Sequence, residues 1–364
     1  MDLRRLAMPL LALAFLSLVL GIWAGLVRVG WPWPSLTPEF WLAHGPLMVS
    51  GFVGTLIAVE RAVALGRRWG VAAPVLTAAG ALVLVAVPHW VGPLLIVLGS
   101  AVLAVLFADV LHRHATPSTA VMLLGAAAWV VGNALWLVSY PNLDVDAVIL
   151  WWMAFLVLVI SGERLELSRV LRLPWGAHGA FLLLADAVVV GAAWSALDLG
   201  AGSILAGLAL LGVAAWLLRF DIARIQIRQR ALRRFIAAAL LPGYVWLGLG
   251  GLFVALSGLA PFPLIYDAEV HAVFLGFVIS MIFAHAPIIF PAVLGLPLPY
   301  RAWFYGHLVL LHVGLGLRIA GDLATAEPIR RWGALLNGAA LVGFLFATGA
   351  AVGIGRREAR SVPG

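Results

Sequence analysis

The sequence predicts an all-α, polytopic membrane helix bundle of about twelve transmembrane helices, and three observations carry that expectation. Hydrophobic residues make up 64% of the 364 and charged residues only 11%, with a mean hydropathy of +1.08. Apolar runs of about 20 residues recur along the whole length, and each can cross roughly 30 Å of hydrocarbon as a helix that satisfies its own backbone. The connections between those runs alternate in charge, as the loops of a multi-pass protein do.

The twelve helices begin near Leu6, Trp41, Val71, Val91, Pro117, Val145, Trp175, Ala201, Phe235, Leu264, Ala302 and Arg331. The first, Leu6 to Val27, is long enough to span and has no clear small-residue cleavage site after it, so it reads as a helix rather than a signal peptide. The second, Trp41 to Leu65, has His44 at its entrance and Glu60-Arg61 near its end. The sixth ends in Ser161-Gly162-Glu163-Arg164, much as the second ends in Val59-Glu60-Arg61. The seventh carries Asp186 near its midplane with no evident partner in its own helix, which marks it as a proton carrier or ligand. The ninth holds Gly248, Gly250 and Gly251, and the eleventh Gly314 and Gly316, which permit close packing in lipid. The tenth contains Tyr266 to Phe290, with His271 and His285 near its two ends, and the eleventh contains His307, His312 and Arg318. Trp31, Trp33, Trp41, Trp90, Tyr140, Trp151 and Trp175 fit interfacial belts.

All 23 basic residues are arginine. One set of connections holds Arg4, Arg5, Arg61, Arg67, Arg68, Arg113, Arg164, Arg169, Arg172, Arg219 through Arg234, Arg301, Arg356, Arg357 and Arg360. The other is nearly free of arginine and holds Glu39, Asp144, Asp146, Asp198, Asp267, Glu269 and Asp322. The positive-inside rule makes the first set cytoplasmic, which puts both termini inside and requires an even number of spans; Arg28, Arg330 and Arg331 dissent. The expected location is the bacterial inner membrane. Residues 1–364 read as one transmembrane domain, with helices 1–8 and 9–12 separated by the basic loop Arg219 to Arg234, a juxtamembrane anchor on anionic lipid rather than a nucleic-acid site. No cysteine is present, which excludes disulfides, thiolate metal sites and iron-sulfur clusters and leaves histidine and carboxylate as ligands. No Walker loop, dinucleotide fingerprint, HExxH or GxSxG motif appears in a fitting context, so ATPase and hydrolase readings have no support.

The histidines supply the chemistry. Both the second and tenth helices run from outside to inside, so His44 lies about one turn below the outer surface and His271 one to two turns below it. Two imidazoles at one depth on facing helices are what a six-coordinate haem iron needs, and Arg318, in the last turn of a helix running outward, reaches the same leaflet to pair a propionate. His285 lies 14 positions after His271 on nearly the same face, in the inner half; His307 is also inner, and His312 lies nearer the midplane. These three are candidates for a metal or proton site. His89, His112, His114 and His178 fall in loops or at helix ends. Gly51-Phe52-Val53 aligns with Gly276-Phe277-Val278, which sets Glu60 opposite His285 and suggests an internal repeat of the kind transporters use.

The stretch Leu42-Ala43-His44-Gly45-Pro46-Leu47-Met48 resembles the low-spin haem region of the catalytic subunit of haem-copper oxidases, and Tyr266 to His271 is similar to that superfamily's second ligand region. The superfamily carries two histidines one residue apart on helix ten, where this chain has one, and its copper ligands on helices six and seven have no counterpart beyond His178. The chain also resembles the NnrS family of twelve-helix haem- and copper-containing membrane proteins, through Phe40-Trp41 with His44, His271 to Phe277, and the histidine-bearing helix Ala302 to Gly321. That resemblance implies haem b, with a copper site at His285, His307 and His312, and a role linked to nitric oxide. The expectation is a bis-histidine haem protein at His44 and His271, with an electron donor or quinol as partner. Its rival is a proton-coupled transporter using Asp186, Glu60 and His285 as relay, and a third class is a sensor or assembly factor that handles haem or copper without turnover. The sequence does not set the oligomeric state.

Overall fold

The computed structural model describes residues 3–86, 90–139, 142, 145–260 and 263–361. His89, Tyr140 and Asp144 lie outside the described residues. Twelve helices are long and apolar enough to cross a membrane: α1 Leu3–Arg28, α2 Phe40–Leu65, α3 Trp69–Ala86, α4 Val91–Arg113, α5 Pro117–Val138, α6 Asp146–Leu171, α7 Trp175–Trp194, α8 Leu199–Phe220, α9 Ala231–Leu259, α10 Ile265–Leu294, α11 Phe304–Leu323 and α12 Glu327–Ala359. No strand occurs among the described residues. The chain is an all-α, multi-pass membrane protein.

Local chemistry sets several boundaries. Thr116 caps α5 by accepting from the Thr119 backbone N–H while the Thr119 hydroxyl accepts from the Thr116 N–H, and Pro117 takes the first helical position, where its missing donor costs nothing. Asp198 caps α8 by accepting from the Ala201 N–H at 3.0 Å. Gly66 and Gly295 end α2 and α10 in the left-handed conformation that favours glycine, at φ 64° and 66°. α9 and α12 begin about one turn before the sequence suggests, because Arg233, Arg234, Arg330 and Arg331 continue the helices outward instead of belonging to loops.

The chain divides into two compact units, Met1–Val159 and Ile160–Gly364. The division falls inside α6 and not at the basic loop. Helices α8 and α9, on either side of that loop, lie along each other: the backbone of each meets a glycine of the other at Gly207 and Gly251, where a methyl group has no room. The loop therefore joins neighbours within one unit. Arg164 reaches into it and anchors Asp221.

In the first unit α1 packs on α2 and α3, α3 on α4, and α4 on α5. Polar contacts also tie these apolar helices. The hydroxyls of Thr55 on α2 and Thr77 on α3 lie 2.8 Å apart, and the Trp152 indole N–H of α6 donates to the Asn133 side-chain oxygen of α5 at 3.0 Å. Trp129 of α5 stacks on Phe155 of α6 with centroids 4.3 Å apart. In the second unit α7 packs on α8, α8 on α9, α9 on α10, and α11 on α12. The Asn337 amide of α12 donates to the Leu311 carbonyl of α11 at 2.8 Å.

Candidate functional site

His44 stands where the short 3-10 turn Phe40–Ala43 passes into the body of α2. Its ring rests over Gly25 of α1, where a Cβ would lie 2.7 Å from the ring's Nδ1 and Cε1. Nδ1 donates to the Gly21 carbonyl at 2.8 Å. A carbonyl only accepts, so Nδ1 carries the proton and the ring's lone pair is on Nε2. His271 on α10 is prepared in the same way. Its Nδ1 donates to the Asp267 carbonyl one turn back at 2.8 Å, and the Asp267 carboxylate lies 3.3 Å from the same nitrogen. Tying the far nitrogen to a carbonyl or carboxylate is how proteins orient an imidazole for a metal.

Each histidine leads into a π-helical stretch, Leu47–Gly54 in α2 and Ala272–Ile279 in α10. The alignment that pairs Gly51 with Gly276 lays these stretches end to end, Leu47 on Ala272 and Gly54 on Ile279. The internal similarity visible in the sequence thus has a counterpart in backbone form. π-Helical turns are rare and concentrate at functional sites, because the wider winding shifts the side chains before and after it to different faces.

Asp267 is itself held. Arg318 of α11 donates to its two oxygens from Nε at 2.7 Å and Nη2 at 2.8 Å. The guanidinium expected to meet a haem propionate is instead bound bidentately to the carboxylate that orients His271. A turn further on, Asp322 is fully buried with no hydrogen-bond donor to either oxygen among the described residues, and Arg330 Nε of α12 is 3.9 Å away. Above His271, Glu269 accepts from the Ser257 hydroxyl of α9 at 2.7 Å.

Residues 5–352 match the model of a family described as a domain of unknown function, DUF8744. The chain belongs to that family. No curated protein matches it.

A second polar centre in this DUF8744 member lies where α6, α8 and α10 of the second unit meet. Arg164 donates to Asp221 from Nε and Nη2, both at 2.8 Å, with the side chains 3% and 0% exposed. Asp221 also accepts from the Ala223 N–H at 2.7 Å, which holds the short helix Ala223–Gln226 of the basic loop. Arg164 Nη1 lies 3.3 Å from His285 Nε2, and His285 Nδ1 donates to the Met281 carbonyl at 2.7 Å. The fully buried Tyr244 of α9 also faces the Arg164 and Asp221 side chains. Sequence reading passed over Asp221 as one more residue of a basic loop. The signal was there: Asp221 is the sole acid between Arg219 and Arg234.

The proposed copper ligands are not brought together. Among the described residues no three His, Asp or Glu side chains converge to hold a metal ion. His285 Nε2 faces a guanidinium, which repels a cation. His307 sits in a box of Phe235, Phe283, Phe304 and Phe344, with its Nδ1 buried and unbonded among the described residues. His312 accepts at Nδ1 from the Trp246 indole N–H at 3.0 Å, so its lone pair is already used. Glu60 pairs with its neighbour Arg61 at 3.0 Å. Asp186 is exposed on α7 rather than turned into the bundle, so it joins none of these groups.

Proposed function

We propose that this chain is a multi-pass protein of the bacterial inner membrane, with both termini cytoplasmic, that binds b-type haem through His44 and His271 and has a redox or nitric-oxide-related role. The observation that carries the reading is the matched preparation of two imidazoles. Each is pinned through Nδ1 to a backbone carbonyl, which puts the ring's lone pair on Nε2, and stands at the head of a π-helical stretch. Haem supplies a one-electron carrier when bound, and two imidazole ligands favour electron transfer because a gas can bind only if one ligand leaves. The residues of the chain do the positioning: Gly21 and Gly25 hold the His44 ring, Asp267 holds the His271 ring, and Arg318 neutralises Asp267. An electron donor or quinol is the partner this role requires. The donor set for copper is not assembled, so the proposal rests on haem alone.

The test is spectroscopic. Oxidised protein from haem-replete cells is expected to give a low-spin bis-imidazole electron paramagnetic resonance signal. His44→Gly and His271→Gly should each lose it, and added imidazole should restore it. An unchanged signal in both variants would refute the assignment of ligands. The buried Arg164–Asp221 pair with His285, together with the alignment of α2 and α10, favours a second reading as a proton-coupled transporter. Proton-driven solute uptake by a colourless purified protein would decide for it.

A further inference from the structure

Three helical hairpins of the chain are packed alike. In α3–α4 a Cβ at Gly80 would meet the backbone of Ile96, and one at Gly92 would meet the Gly80 carbonyl. In α7–α8 Gly191 faces the backbone of Ala206, and Gly202 faces the Gly191 carbonyl. In α11–α12 Gly314 faces the backbone of Asn337, and Gly333 faces the Gly314 carbonyl. Each time the second glycine stands about one helical turn before the residue that the first one meets.

The two helices ahead of each hairpin repeat as well. A Cβ at Gly21 of α1 would lie 2.8 Å from the Met48 side chain and 3.4 Å from the Leu47 Cβ of α2. At Gly250 of α9 it would lie 2.6 Å from the Val273 side chain and 3.4 Å from the Ala272 Cβ of α10, and at Gly132 of α5 it would lie 3.2 Å from the Trp152 ring and 2.7 Å from the Trp151 Cβ of α6. Phe15 on Phe52 and Tyr244 on Phe277 form matching tilted ring pairs, with centroids 6.1 and 6.3 Å apart. The same contacts therefore recur through α1–α4, α5–α8 and α9–α12.

The second helices differ in one respect. A Cβ at Gly125 of α5 would meet the Phe155 carbonyl and, three positions on, the Leu158 Cβ; a Cβ at Gly243 of α9 would meet the Gly276 carbonyl and, four positions on, the Ser280 Cβ. Between equivalent contacts α10 has one residue more than α6, and it falls within the π-helical stretch Ala272–Ile279. In α2 the stretch Leu47–Gly54 occupies the matching place, and there the Thr55 N–H reaches back to the Ser50 carbonyl, the five-residue step of a π-helix. α6 runs through the same region, Ile149–Leu167, as a plain α-helix.

We propose that the chain is three copies of one four-helix repeat, and that α2 and α10 each hold one residue more than its packing needs, taken up as a π-helical turn between two fixed contacts. α6 makes both contacts without that residue, so the turn is slack. The stretch between the contacts can change its winding while the helix ends stay in place. Those ends include His44 and His271, and the slack exists whether or not the two rings bind a haem.

Single-residue deletions in the full-length protein test this. Deleting Val53 from α2, or Val278 from α10, gives either helix the length of α6 and should leave cooperative unfolding and the melting temperature nearly unchanged. Deleting Leu156 from α6, where no residue is spare, should abolish cooperative unfolding. Amide hydrogen exchange reads the slack itself: Leu47–Gly54 should exchange on the order of tenfold faster than residues 151–158, and the Val53 deletion should remove the difference. A Val53 or Val278 deletion that unfolds the protein, or a Leu156 deletion that does not, would overturn the proposal. So would exchange in α2 that is no faster than in α6, or that the Val53 deletion leaves unchanged.

Discussion

Replacing Asp221 with leucine should be among the most damaging single changes in the second unit. The carboxylate accepts two hydrogen bonds from Arg164 at 2.8 Å and one from the Ala223 N–H at 2.7 Å, and neither side chain of the ion pair is more than 3% exposed. Removing it leaves a guanidinium enclosed by protein without its counter-charge, which costs about 3–5 kcal/mol. The orphaned Ala223 N–H adds about 1 kcal/mol or more, since a buried donor without an acceptor forfeits its hydration. Taking both partners away is a different perturbation. The Arg164→Met/Asp221→Leu double variant removes both charges and should recover at least half of the loss, because a buried pair returns little beyond its own desolvation cost. Reversible unfolding in mixed micelles, followed by tryptophan fluorescence, measures all three proteins. A loss below about 1 kcal/mol for Asp221→Leu would show that the pair is solvated and would refute the reasoning, as would a double variant worse than the single one.

Three other expectations follow from contacts of the same kind. Gly25→Ala puts a methyl group into the space of the His44 ring, which must move by about 0.7 Å to reach ordinary contact and loses its bond to the Gly21 carbonyl; haem content per purified chain should fall with little change in melting temperature. Gly207→Leu should separate α8 from α9 and destabilise the second unit by about 1–3 kcal/mol or more, read from the same unfolding transition, whereas Gly306→Leu, where a side chain meets open space, should be close to neutral. Asn133→Leu leaves the buried Trp152 N–H without an acceptor, and should lower stability by about 1–3 kcal/mol and shift the fluorescence of that indole.

The fold was readable because a hydrocarbon solvent leaves a chain few choices. Runs of the right length must become helices, and the starts at Val91, Pro117 and Trp175 coincide with those inferred from hydropathy alone. Where charge enters a helix, as at Arg233 and Arg330, the same logic stopped too soon, since an arginine at an interface can continue the helical backbone while its side chain reaches water. Sites were harder to read. His44 and His271 could be singled out because an imidazole at a helix mouth departs from its surroundings, yet nothing in the sequence says that both would be tied through Nδ1. That Arg318 holds Asp267 could not be read from the sequence, because depth places a residue on the membrane normal and says nothing of which way round the helix it points. His285, His307 and His312 share a leaflet or nearly so, but α6 and α9 to α12 give them separate neighbours: Trp246 takes His312, a ring of phenylalanines takes His307, and Arg164 takes His285. Only packing resolves that, and packing depends on contacts between residues far apart in the chain.

The most direct test of the central claim is the haem content of the purified protein, measured as the pyridine haemochrome against protein concentration. The account predicts haem b bound in stoichiometric amount in the native chain and lost when His44 or His271 is replaced by alanine. A folded, colourless protein recovered from haem-replete cells would contradict it.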